Sequence, residues 1–154
     1  MVVPYASANP EALIGNIQLF RGTRKRHGYT TAPEVLRVFH FHCGETAAQA
    51  KEEPREAMQR YLKAVVESNQ EEAYSDQYTA YKGLQKGFQM MDYDEYMYPN
   101  RVLFGDPDQC VERIKQIQAT GVTNISLLAN FGGLEHAQIL ASLDRFATQV
   151  MPRV

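Results

Sequence analysis

The sequence predicts an α/β fold, a parallel sheet assembled from repeated β/α units, and three observations carry that prediction. The stretch from Gly105 to Val154 reads as a helix, a short apolar strand and a closing helix. A second strand signal, Glu34 to His42, is followed directly by helix-start residues. The turn from helix to strand after Gly121 is only two or three residues long, which is how crossover helices feed parallel strands.

The elements follow in chain order. Met1 to Val3 has the character of a strand end, stopped by Pro4, whose ring nitrogen has no proton for a ladder. Asn9 is placed to cap a helix starting at Pro10, with Leu13, Ile17 and Phe20 on one face and Gly28 at its end. In the strand Glu34 to His42, alternation puts Leu36, Val38, His40 and His42 on one face and Val35, Arg37, Phe39 and Phe41 on the other. Thr46 and Gln49 have capping-box spacing, and Pro54 ends a short helix and opens a longer one that turns Ala57, Tyr61 and Val65 inward. Asp106, Pro107 and Gln109 form a second capping box ahead of a stripe at Val111, Ile114, Ile117 and Gln118, closed by Gly121. Val122 to Ala129 is an apolar run of the kind covered on both faces, which predicts that this third strand lies centrally in the sheet.

Composition bounds the function classes. A 154-residue chain that is 44% apolar and 22% charged has material for one core, and residues 1–154 are expected to form a single domain with a helical insertion over about 62–100. A net charge of −2 and pI near 6.1 give no electrostatic footprint for nucleic acid or an acidic membrane surface. The one basic tract, Arg21, Arg24, Lys25 and Arg26, fits the last turn of a helix, where cations are favoured. Two cysteines, Cys43 and Cys110, far apart in sequence, suit neither a disulfide scaffold nor a zinc module and point to a cytoplasmic protein. The sequence has no apolar run of membrane-spanning length.

Several residues are candidates for chemistry. The strand ends carry His42, Cys43 and Glu45 on one side and Asn130, Phe131, Gly132 and Gly133 on the other. Glycines before a helix let backbone amides approach an anion, so Gly132 and Gly133 are candidates for a cofactor contact, although a tight strand-to-helix turn explains them equally. His40 and His42, on one strand face, have the spacing of a metal pair, yet His27 and His136 are the only other histidines and no Asp or Glu arrangement completes a shell. No metal site is therefore expected. Cys43 points away from His42 and has no partner base there. Seven of the nine tyrosines lie between Tyr61 and Tyr98. Tyr74, Tyr78 and Tyr81 share a helical face that suits packing, while Tyr93, Tyr96 and Tyr98 are candidates for a lid over a substrate.

The ordered set Gly105-Asp106-Pro107, Gly121-Val122, Phe131-Gly132-Gly133 and Val150-Met151-Pro152 resembles the C-terminal signature of the bacterial luciferase-like, flavin-dependent monooxygenases. Glu45-Thr46 and the following Ala47 to Tyr61 resemble the same family, in particular the branch found with peptide and polyketide assembly lines. The resemblance implies the C-terminal portion of a TIM (β/α)₈ barrel, about three β/α units with the helical insertion. A whole barrel takes about 250 residues. The match begins inside what resembles the sixth strand, which implies a fragment, a split subunit or a degenerate relative.

By the same resemblance the function is oxidation of a small organic substrate with O2. The cofactor implied is reduced FMN supplied by a reductase, with the deazaflavin F420 as the lesser alternative. The implied flavin contacts are Asn130, Phe131, Gly132 and Gly133, and the implied substrate contacts are His40, His42 and the three tyrosines. Catalytic residues are not assigned. Two other readings stay open: a noncatalytic half-barrel that serves as an interaction module, and a small metal-dependent hydrolase using His40 and His42. An open half-barrel exposes sheet edges, so a homodimer or a complementing chain is expected.

Overall fold

The computed structural model describes residues 1–3, 9–68 and 91–154. It is an α/β arrangement in which every strand pairing is parallel. Among the described residues four strands form the sheet: β1 (Val2–Val3), β2 (Leu36–Cys43), β3 (Leu103–Gly105) and β4 (Asn124–Leu128). The helices are α1 (Pro10–Arg26), α2 (Ala47–Glu52), α3 (Arg55–Ser68), α4 (Pro107–Ala119) and α5 (His136–Arg145). A π-helical turn, Tyr93–Met97, runs into the short helix Tyr98–Asn100 ahead of β3, and a second, Phe146–Val150, follows α5.

The caps act as the sequence indicates, with one displacement. The Asn9 side chain accepts from the amides of Glu11 and Ala12, and the capping box at Asp106 and Gln109 is complete. Thr46 accepts from the Gln49 amide, but Gln49 Oε1 reaches back one residue further, to the amide of Glu45 at 2.8 Å. That shift frees Gln49 Nε2 to donate to Glu53 Oε1 at 2.7 Å. Pro54 separates α2 from α3, having no amide proton to continue the helix.

Two expectations about the sheet are corrected. The central strand is β2, which pairs β1 at Leu36 and Arg37, β4 from Leu36 to His40 and β3 from Phe41 to Cys43. The expected centre, β4, pairs only β2 among the described residues, and both Asn124 and Leu128 are exposed. An apolar run records how much burial a strand needs, while its neighbours are set by the order of crossovers. The second correction is β3, a strand of three residues that the sequence reading did not include; it is too short to show a period.

Alternation along β2 divides the core. Val35, Phe39, Phe41 and Cys43 face outward into a layer closed by Leu13 and Ile17 of α1 and by Cys110, Val111, Ile114 and Ile117 of α4. Burying a side chain such as Phe39 or Phe41 contributes about 2–3 kcal/mol each. Ile125 and Leu127 of β4 join the same layer. The inner face carries His40 and His42, both buried, beneath a second cluster of Met58, Leu62, Tyr93, Met97, Phe104 and Phe131. The inner layer therefore covers the carboxyl end of β2, while Leu36 and Val38 nearer its start are only half-buried.

Candidate active site at the strand ends

The carboxyl ends of β2, β3 and β4 converge on an aromatic wall. Phe104 and Phe131 stack with ring centroids 5.7 Å apart and an interplanar angle of 12°. His40 meets Tyr61 edge-on at 4.5 Å and Phe131 at 5.1 Å, and His42 stands over Phe104 at 6.4 Å. Burial lowers the His40 pKa to about 4, so the ring is neutral at ordinary pH.

His42 has a partner that the sequence reading missed. Its Nε2 lies 2.8 Å from Glu53 Oε2, and Glu53 is in turn held by Gln49. Burial holds the His42 pKa below its ordinary value, against the opposing pull of the Glu53 carboxylate. An ionised carboxylate only accepts, so the neutral ring carries its proton on Nε2. His42 Nδ1 is then a buried acceptor with no hydrogen-bond partner among the described residues. Glu53 itself is 26% exposed and lines a cleft of about 500 Å³ shared with Ala57, Arg60, Gly133, Leu134 and Glu135. The cleft wall thus carries a carboxylate backed by a buried imidazole, a fixed acceptor for a bound donor. Nothing in the spacing of His42 and Glu53 signals this pair; the break at Pro54 sets it.

The glycine turn after β4 is explained in part by packing. Gly132 has φ +57°, and a Cβ there would sit 1.7 Å from the Ala57 carbonyl oxygen, so α3 approaches too closely for any side chain. Arg60 donates to the carbonyls of Gly132 at 2.7 Å and Gly133 at 3.3 Å. Gly133 is exposed on the cleft, Phe131 is buried in the wall, and Asn130 is exposed between β4 and the turn.

The tyrosines divide. Tyr93 is buried, its hydroxyl donates to the Lys51 carbonyl and Arg55 lies over its ring at 4.6 Å. Tyr98 is half-buried beneath Lys51. Asp94 ties this segment to α2 and α3 through Lys51 at 2.7 Å and Arg55 at 2.6 Å. Tyr96 is described only in its backbone, and Tyr74, Tyr78 and Tyr81 lie outside the described residues. Among the described residues no group of three or more His, Cys, Asp or Glu side chains could hold a metal ion. No helix among them is long and apolar enough to cross a membrane.

The model of the luciferase-like monooxygenases matches residues 1–124, most of the chain. The chain belongs to the luciferase-like monooxygenase family. Over 49 residues it is 49% identical to the alkanal monooxygenase alpha chain of Aliivibrio fischeri, a stretch that is 31% of this chain and 14% of that protein. The monooxygenase RslO1 of Streptomyces bottropensis superposes with a TM-score of 0.70 at 16% identity, covering 98% of this chain and 40% of RslO1. The oxygenating constituent of the 3,6-diketocamphane monooxygenase of Pseudomonas putida is a type II Baeyer–Villiger enzyme solved with FMN. It gives a TM-score of 0.68 at 19% identity, covering 99% of this chain and 42% of that one. At such identities the likeness shows the fold, and the fold of this luciferase-like chain is the C-terminal portion of a TIM barrel. The chain spans about 40% of the length of these solved relatives.

Proposed function

We propose that this chain supplies one wall of the active site of a flavin-dependent monooxygenase that oxidises a small organic substrate with O2. The supporting observation is the buried His40, His42, Phe104 and Phe131 wall, backed by Glu53, at the carboxyl ends of the strands, where barrel enzymes place their chemistry. In this reading Phe131, Gly133 and Asn130 border the cofactor, and His40, His42 and Tyr98 border the substrate. Reduced FMN, when bound, would activate oxygen, and the protein would orient the reactants and exclude water. The fit of these residues to a flavin is one-sided. The cleft offers Gly133, whose open position a Cβ would fill without closer contact than 3.9 Å. Among the described residues its two cations are engaged, Arg60 with two carbonyls and the Glu56 carboxylate and Arg55 with two carboxylates.

We therefore place the phosphate contacts outside the described residues, with a second copy, a complementing chain or a longer form of the same protein as their source. Residues 1–154 act as one unit, and the compartment is the cytoplasm. A half-barrel that binds a partner without chemistry is favoured by one observation, the exposed apolar side chains of Leu128 on β4 and of Leu140 and Leu143 on α5. Incubation with FMN, desalting and a visible spectrum separate the readings. Flavin retained near one per chain or per dimer supports the oxygenase wall; a partner captured with no flavin supports the interaction module. The same experiment with F420 distinguishes the two cofactors.

A further inference from the structure

Cys43 and Cys110, remote in sequence, meet in the fold. Pairing of β3 with β2 sets Cys43 opposite Gly105, and the Gly44 amide donates to the Gly105 carbonyl at 3.1 Å. The capping box starts α4 immediately after Gly105, which brings Cys110 Sγ within 3.6 Å of that same carbonyl. Both cysteines are free and buried in the same core cluster, Cys43 Sγ near the Gly44 carbonyl and Cys110 Sγ near the adjacent Gly105 carbonyl. We propose that Cys43 and Cys110 are a redox-active dithiol that a small peroxide converts into an intrachain disulfide, fastening the first turn of α4 to the end of β2.

The surroundings make the pair unequal. Cys43 lies beside Arg145, which donates to the Cys43 carbonyl, and the Cys43 amide donates to Ser142 Oγ at 2.7 Å. The neighbouring Cys110 thiol, and then the Arg145 charge, lower the Cys43 pKa, whereas Cys43 and burial raise that of Cys110. Cys43 is thus the more acidic thiol and the one that attacks first, and Cys110 is the thiol that keeps its proton until the second step. A cleft of about 380 Å³ is lined by Glu45, two residues after Cys43, by Pro107, at the start of the helix that carries Cys110, and by Arg145; the two thiols are buried and do not form its wall. The Cys43 sulfur attacks one peroxide oxygen, the O–O bond breaks, and the first water leaves as Cys43 becomes a sulfenic acid. The Cys110 sulfur then displaces that hydroxyl, the S–S bond forms, and the second water carries away the Cys110 proton. Two thiols are oxidised and one peroxide is reduced to two waters.

The test is intact mass and peptide mapping of the full chain after treatment with hydrogen peroxide. The expected result is loss of both titratable thiols, a mass lower by two hydrogen atoms, and a linked Cys43–Cys110 peptide that dithiothreitol releases. In Cys110→Ser the reaction is expected to stop at a sulfenic acid on Cys43 that dimedone traps, and Cys43→Ser is expected to leave Cys110 unreacted at the same dose. Two intact thiols, or separate oxidation of each sulfur to higher acids without a link, would overturn the proposal. The wild-type measurement decides it even if a serine variant folds poorly.

Discussion

His40 carries the clearest pH signature in the molecule. Its pKa falls from 6.5 in the unfolded chain to about 4 in the folded one because the buried ring resists charge. Between those values the unfolded state binds more protons, so stability is full above about 6.5 and declines as pH drops towards about 4, by about 2–3 kcal/mol. Urea midpoints measured across that window should fall in the native chain, and the decline should be smaller in His40→Gln. Glu53→Ala should cost about 1–3 kcal/mol, since it strands the second nitrogen of a buried ring. Glu53→Gln, which keeps an acceptor, should cost less. Gly132→Ala should be among the most damaging single changes, about 3 kcal/mol or more, because the new methyl meets the Ala57 carbonyl at a left-handed φ. The shared face of His40 and His42 was legible from period two alone. Glu53 was not, because its approach depends on where Pro54 interrupts two helices, and that is a tertiary outcome.

The elements show where local signals suffice. Caps at Asn9, Thr46 and Asp106 fix the starts of α1, α2 and α4, since each depends on residues within three positions. Removing the Asp106 carboxylate with Asp106→Ala should cost about 1 kcal/mol, measurable by chemical denaturation. Sheet order is a different kind of information. The apolar run of β4 suggested a central strand, yet β2, which contains an arginine and two histidines, holds that place because crossovers on both sides lead to it. Amide exchange should accordingly be slowest around Leu36 and Arg37, which pair with β1 and β4 at once. In β4 the amides directed away from β2 should exchange faster. Equal, uniformly strong protection of Ile125 to Leu128 would contradict the edge placement. The three-residue β3 was invisible in sequence because its pairing with β2, rather than any periodicity, makes it a strand.

At the scale of the whole molecule, the inner layer covers only the carboxyl end of the sheet. Leu128 on β4, Leu140 and Leu143 on α5, and Ile14 and Leu19 on α1 leave apolar surface at the flanks of the fold. In a closed barrel such surface lies between adjacent β/α units, which is the physical basis for expecting further polypeptide against this one. The length of the solved relatives agrees with that expectation, since this chain accounts for about 40% of theirs. Sedimentation of the purified chain with FMN, recorded in both the protein and the flavin absorption bands, tests this account most directly. The account predicts a dimer or larger species at high micromolar concentration, with flavin moving in the same boundary. A stable monomer with all the flavin left behind would contradict it.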